Sequence, residues 1–236
     1  MTIMSMTIVR YGKNSTEFYT DTSKGDENMS KYFNLYNDWY GDDYEIFKNY
    51  QIKIDTGLTV LVGCNGAGKT TMLNQIEDML DRENIPVLFH NNMTNGERDL
   101  KSKATFYGDF EMVARLMSSS EGENIVNVLG EVARKMGDLS RKNPKAKELW
   151  FLFDSIDSGL SIDNVIEFKE ELIPVVLENN KDKDIYFVVS TNGYEFARGE
   201  NCFDVINGKY IKFANYEEYR DFILKSKEQK LKRYDE

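Results

Sequence analysis

The stretch "LTVLVGCNGAGKTTMLNQIEDML", residues 58–80, constrains the chain more than any other. Leu58 to Val62 are apolar and β-prone, as in a short buried strand, and from Thr71 onward Met72, Leu73, Ile76, Met79 and Leu80 recur on one side of a helix. Between the two, Gly63 to Thr70 fit G-x-x-x-x-G-K-[ST]. Glycines let the backbone turn its N–H groups inward where side chains would obstruct an anion, and the helix N-terminus adds positive potential. Gly63, Asn65, Gly66, Ala67, Gly68, Lys69, Thr70 and Thr71 are therefore the candidate phosphate-binding residues of a nucleotide site. Lys69 is placed to reach the β- and γ-phosphates, and Thr70 to offer its hydroxyl oxygen to Mg²⁺. A glycine turn with a chance lysine is the plainer alternative. With glycine at ~7% of residues, the full pattern arises by accident in roughly one chain in a hundred of this length.

Three later stretches bear on the same chemistry. "SSSEGEN", residues 118–124, precedes a helical pattern with Ile125, Val128, Leu129, Val132 and Met136 on one side, and Ser120 with Glu123 makes a capping box around Gly122. "FLFDSIDSGLS", residues 151–161, follows; Leu149 to Phe153 read as a buried strand that delivers Asp154 at its C-terminal end. Then comes the β-rich "DIYFVVSTNG", residues 184–193. In this order, from about residue 52 to 192, the sequence resembles the ABC-type P-loop ATPases, in the soluble branch that includes SMC-like repair and chromosome proteins, and small stand-alone ATP-binding proteins of bacteria and phages.

The resemblance implies an α/β P-loop fold with an ABC-like core sheet and two ATP molecules sandwiched in a homodimer. Ser120 and Gly122 would then face the γ-phosphate of the opposite subunit, a role compatible with a plain helix cap. Asp154 takes the Mg²⁺ position, and "SGLS", residues 158–161, is the loop that reaches across the dimer. Several positions depart from the family. Ser155 stands where a glutamate usually activates water, Asn192 where a histidine usually contacts the γ-phosphate, and Ser161 where an aspartate is usual. The glutamine usual after the first helix is missing, since the chain's glutamines are Gln51, Gln75 and Gln229; His90, Asn91 or Asn92 is the substitute on offer. Asp157 is read as a solvated loop aspartate rather than a relocated base. The groups that hold ATP and Mg²⁺ are present while those that activate water are neutral. The resulting expectation is a weak ATPase, with Lys69, Asp154, Ser155 and Asn192 at the reacting end.

Only about 50 residues separate Lys69 from Ser120, which leaves room for a reduced helical subdomain at about 108–147 within one domain, 1–236. Residues 94–103 read as an exposed loop and the first 50 residues as polar loop mixed with aromatics. Of those aromatics, Tyr40, Tyr44, Phe47 and Tyr50 lie upstream of the phosphate loop, where the family often stacks a ring on adenine, although most such rings are core. "CFDVINGKYIKF" is a hairpin about Asn207-Gly208, and a terminal helix follows, capped by Asn215 and Glu218, with Tyr219, Phe222 and Ile223 inward.

No apolar run approaches the ~20 residues of a membrane span and the first ten residues lack the pattern of a secretory leader, so a cytoplasmic protein is expected. Two cysteines suit a reducing compartment and one histidine excludes a histidine-rich metal centre. A net charge of -10 argues against a wholly basic nucleic-acid surface. The basic stretches 134–147 and 225–233 are read either as phosphate-backbone contacts or, more plainly, as solvated faces. The function expected is an ATP-gated dimeric switch in DNA metabolism or phage–host functions, with a nucleic-acid or protein partner. The alternatives are a transporter's nucleotide subunit and a non-hydrolysing regulatory protein.

Overall fold

The apolar runs around the phosphate loop pair side by side as parallel strands. In the computed structural model, which describes residues 29–36, 46–91, 121–158 and 160–232 (over 121–128 the backbone alone), β3 (Gly57–Val62) lies against β6 (Asp184–Ser190). The far side of β6 carries β5 (Glu148–Asp154), and β4 (Val87–Asn91) pairs beyond it. On its other flank β3 pairs with β7 (Cys202–Asp204), and β8 (Lys209–Ile211) closes that edge antiparallel to β7. The order is β4-β5-β6-β3-β7-β8, a six-stranded, mostly parallel sheet. The α/β class expected from the sequence is found. The central strands are covered on both faces, so they read as continuous apolar runs rather than alternating ones. Leu149 to Phe153, for instance, are all fully buried.

One face is covered by α1 (Lys69–Arg82), whose Met72, Leu73, Ile76, Met79 and Leu80 bury against Leu61, Trp150, Leu152 and Val188. The helix ends where Asn84 takes a left-handed φ of 57° just before Pro86, which cannot continue it. The same layer is extended by an antiparallel pair that the sequence reading did not foresee, β1 (Ser30–Asn34) and β2 (Gln51–Asp55). Its Phe33, Ile52 and Ile54 are buried, and Phe33 stands edge-on to Trp150 at 5.2 Å.

The other face carries the remaining helices. Within the segment expected to form a helical subdomain, residues 108–120 lie outside the described ones. The rest is mainly α2 (Glu121–Lys142), which buries Leu129, Val132 and Met136 in the core beside β5. A helical stretch from Ile162 to Asn179 follows β5 as α3 (Ile162–Glu167), a π-turn (Phe168–Leu172) and α4 (Ile173–Asn179). Pro174 has no N–H to donate back one turn, which accounts for the widened register just before it. Phe168 at the π-turn packs edge-on to Phe153 and Phe196. α5 (Tyr194–Ala197) and α6 (Tyr216–Lys232) complete the layer.

The hairpin β7–β8 forms about Asn207-Gly208, but its register pairs Asp204 with Lys209 and so leaves a four-residue connection. Asp204 stabilises that loop by accepting hydrogen bonds from the Ile206 and Asn207 N–H groups. The Asn215 carbonyl oxygen of the side chain accepts from Glu218 N–H at 2.9 Å while the Glu218 carboxylate accepts from Ala214 N–H at 3.0 Å, the reciprocal cap expected of this pair. Among the described residues no helix is long and apolar enough to cross a membrane. Because β3, β4, β5 and β6 run the same way, their C-terminal ends bring Gly63, Asn91, Asp154 and Ser190 to a single edge of the sheet.

Candidate functional site

At that edge the chain after β3 turns through Gly63, Gly66 and Gly68, all at positive φ, before α1 begins. Two of these glycines are fixed by contact as well as by conformation. At Gly68 (φ 107°) an added Cβ would stand 2.7 Å from Ile46 Cγ2 and 3.2 Å from the Phe47 ring, so the loop is seated on a buried pair from before β2. At Gly66 (φ 75°) an added Cβ would stand 2.6 Å from the Lys230 ammonium. Phe47 is thus core beneath the loop, whereas Tyr50 is about half exposed; Tyr40 and Tyr44 lie outside the described residues.

Lys69 opens α1 and is 7% exposed. Its Nζ donates to the Gly63 carbonyl (2.7 Å), the Cys64 carbonyl (3.3 Å) and the Asn192 side-chain oxygen (3.0 Å). Burial holds the Lys69 pKa below its ordinary value, with Cys64, Asp157 and Asp154 acting in the opposite direction. All three of these partners are neutral oxygens, so none of them is a carboxylate competing with an anion for the ammonium.

Asp154 is 2% exposed and held on both carboxylate oxygens. Oδ2 accepts from the Thr70 hydroxyl and from the Asn91 amide, each at 2.9 Å, and Oδ1 accepts from the Ser190 hydroxyl at 2.6 Å. The Ser190 hydroxyl in turn accepts from Ser155 N–H at 2.8 Å. Of the three residues offered for the missing glutamine's place, Asn91 touches Asp154, His90 is buried against Phe153 and Asn92 lies outside the described residues. Thr70 itself is exposed, so the Thr70–Asp154 pair opens to solvent on one side. One hydroxyl and one carboxylate are hard oxygen donors that suit Mg²⁺ when phosphate and water oxygens complete its octahedron. Among the described residues no group of three or more His, Cys, Asp or Glu is gathered to hold an ion by itself.

Ser155 is nearly buried and has φ 53°, one of two non-glycine residues at positive φ among those described. Its backbone is held in a conformation that costs an L-residue about 1 kcal/mol. Ser155→Gly is therefore expected to stabilise the fold by ~1 kcal/mol and raise the melting temperature by about 2–4 °C, as read by thermal denaturation. An unchanged or lower melting temperature would show that the hydroxyl contributes more than the strain removes.

Asp157 corrects the sequence reading. It is half-buried, and its Oδ2 accepts from the Thr191 hydroxyl (2.9 Å), Asn192 N–H (2.9 Å) and Gly193 N–H (2.5 Å). Far from a solvated loop residue, it ties the loop after β6 to the loop after β5, and thereby sets Asn192 against Lys69. Ser161 donates its hydroxyl to the Asn164 side chain at the start of α3. Gly122 lies in the first turn of α2, and Ser120 just before it lies outside the described residues.

The part of the site the sequence reading missed comes from the C-terminus. Ser226 of α6 is 2% exposed, and its Oγ accepts from Cys64 N–H at 3.0 Å. Lys230, one turn on, donates to the Asn65 carbonyl at 3.0 Å. Tyr219, Ile223, Ser226 and Lys230 fall on one helical face, but a stripe read from apolar residues alone ends at Ile223. By contrast Arg134 and Arg141, in the other basic stretch, are exposed and paired with Glu131 and Asp138 along α2, as a solvated face would be.

No protein-family model matches the chain, and no curated protein does. Among solved structures it is similar to one described as the crystal structure of a DNA replication initiation factor, at 11% sequence identity and a TM-score of 0.33. The similarity covers 75% of this chain and 46% of that one, so this chain spans about half the length of that protein.

Proposed function

We propose that the chain is an ATP-binding protein of the ABC type, a single domain with a reduced helical subdomain, that works as a dimeric switch and hydrolyses ATP slowly. The observation that carries the reading is the 2.9 Å contact between Thr70 and Asp154, side chains 84 residues apart that meet beside Lys69 at the ends of parallel strands. In this reading Lys69 and the loop N–H groups hold the β- and γ-phosphates. Thr70 and Asp154 hold Mg²⁺, the ion that neutralises charge developing on the transferred phosphoryl group. Asn192, released from Lys69 when phosphate arrives, is the neutral contact to the γ-phosphate. Isothermal titration with ATP, with and without Mg²⁺, tests the site: Mg²⁺ should tighten binding and Asp154→Ala should remove most of that gain. Absence of any ATP binding by the folded wild type would overturn it.

Ser120 and Gly122 are proposed to serve the opposite protomer, the helix start of α2 meeting the γ-phosphate. ATP with Mg²⁺ should then convert monomer to dimer in light scattering. Gly122→Asp should block that shift by adding negative charge near the γ-phosphate while leaving binding to the monomer largely intact. A wild type that stays monomeric when saturated with ATP would count against the sandwich. Supported by the resemblance to soluble ABC-type proteins, the role proposed is in DNA metabolism or phage–host functions, with a nucleic-acid or protein partner.

A further inference from the structure

The terminal helix α6 (Tyr216–Lys232) is fastened at two points to the phosphate loop and at one to the β7–β8 connection. Cys64 N–H donates to Ser226 Oγ (3.0 Å), the Asn207 amide to Gln229 Oε1 (3.1 Å), and Lys230 Nζ to the Asn65 carbonyl (3.0 Å). Ile223, partly buried, packs against Cys64, Ala67 and Ile206 under the same loop. Lys230 is half-buried, and its ammonium lies beside Gly66, at the place where any side chain there would begin. Its partner is a neutral carbonyl; among the described residues it makes no ion pair with a carboxylate, unlike Lys31, Lys53, Lys135, Lys169, Lys181 and Lys183.

A positive charge with no carboxylate partner among the described residues, carried on a helix whose position is fixed by its neighbours, and resting on the candidate phosphate loop, is placed for an anion. The flexible four-carbon stem lets the ammonium leave the Asn65 carbonyl without moving the helix. We propose that Lys230 is a second cation for the polyphosphate, supplied in cis by the terminal helix, which contacts the terminal phosphate and makes the site prefer nucleoside triphosphate over diphosphate. The proposal rests on the nucleotide-binding reading of the phosphate loop. It assigns a charged contact at the γ-phosphate end of a site whose Asn192 and Ser155 are neutral, where an added cation stabilises charge on the transferred group.

The test compares ATP and ADP affinities by titration in wild type, Lys230→Ala, Lys230→Arg and Lys69→Ala, with thermal melting as the check on folding. Lys230→Ala is expected to weaken ATP about 10-fold, the scale of a charge-assisted hydrogen bond, while ADP affinity changes little, and Lys230→Arg is expected to keep most of the preference. If ATP and ADP weaken equally, Lys230 merely braces the loop and the proposal is wrong; if neither changes, it is wrong as well. Lys69→Ala separates the two levels. Loss of all binding in Lys69→Ala with an unchanged ATP-to-ADP ratio in Lys230→Ala overturns the Lys230 assignment alone. ATP affinity left unchanged by Lys69→Ala overturns the nucleotide reading and the Lys230 assignment with it.

Discussion

Lys69→Ala lowers ATP affinity by about 10²-fold or more, the expected loss for removing a charged donor shared between two phosphates. The size follows from the surroundings of the ammonium. It is 7% exposed and already desolvated, so its attraction to phosphate is weakly screened, and burial has lowered its pKa in a way that a phosphate dianion would reverse. Its present partners, the Gly63 and Cys64 carbonyls and the Asn192 amide oxygen, are neutral, and on the proposed reading phosphate oxygens would replace them. The substitution leaves the loop's shape to its glycines, to Ile46 and Phe47 beneath Gly68, and to Ser226 on Cys64 N–H. A folded variant is therefore expected, and melting curves establish that before the titration is read. Unchanged ATP affinity in a folded Lys69→Ala protein would remove the phosphate-loop assignment altogether.

What could be read ahead of the structure follows from how local each signal is. The phosphate loop, β3 and α1 are set by consecutive residues: an apolar run, three glycines at positive φ and a 3.6-residue period, and they lie where the sequence places them. The same holds for β5, whose uninterrupted apolar run needs cover on both faces. Asp157 could not be read this way. Its role is made by three donors 34 to 36 residues further on, and nothing in "SIDSGLS" distinguishes such a carboxylate from a solvated one. The β1–β2 pair is also non-local, its strands are only five residues each, and only β2 alternates polar and apolar residues. The grip of α6 on the loop joins residues more than 160 apart, through a serine and a lysine that a hydrophobic pattern discards.

Ser155→Glu should raise steady-state phosphate release, by a factor short of the roughly 10²–10⁴ that a well-placed general base contributes. The carboxylates now in the site are committed elsewhere. Asp154 accepts from Thr70, Asn91 and Ser190, so both of its oxygens already have donors. Asp157 has three donors on Oδ2, while its Oδ1 is buried with no hydrogen-bond partner among the described residues. Position 155 follows Asp154 at the strand's end, and its N–H is anchored on the Ser190 hydroxyl that also donates to Asp154, so a side chain there starts from a fixed backbone one residue from that carboxylate. Glutamate inherits the left-handed φ that serine already bears, so the exchange adds little backbone strain, but the site is nearly closed and geometry will limit the gain. On the proposed dimeric-switch reading, slow turnover would leave an ATP-bound dimer in place as a clamp. Phosphate release by wild type, Ser155→Glu and Asp154→Asn, measured side by side, should give slow, faster and undetectable rates respectively. Brisk hydrolysis by the wild type that Asp157→Asn abolishes would locate the base at Asp157 instead and end the slow-switch reading.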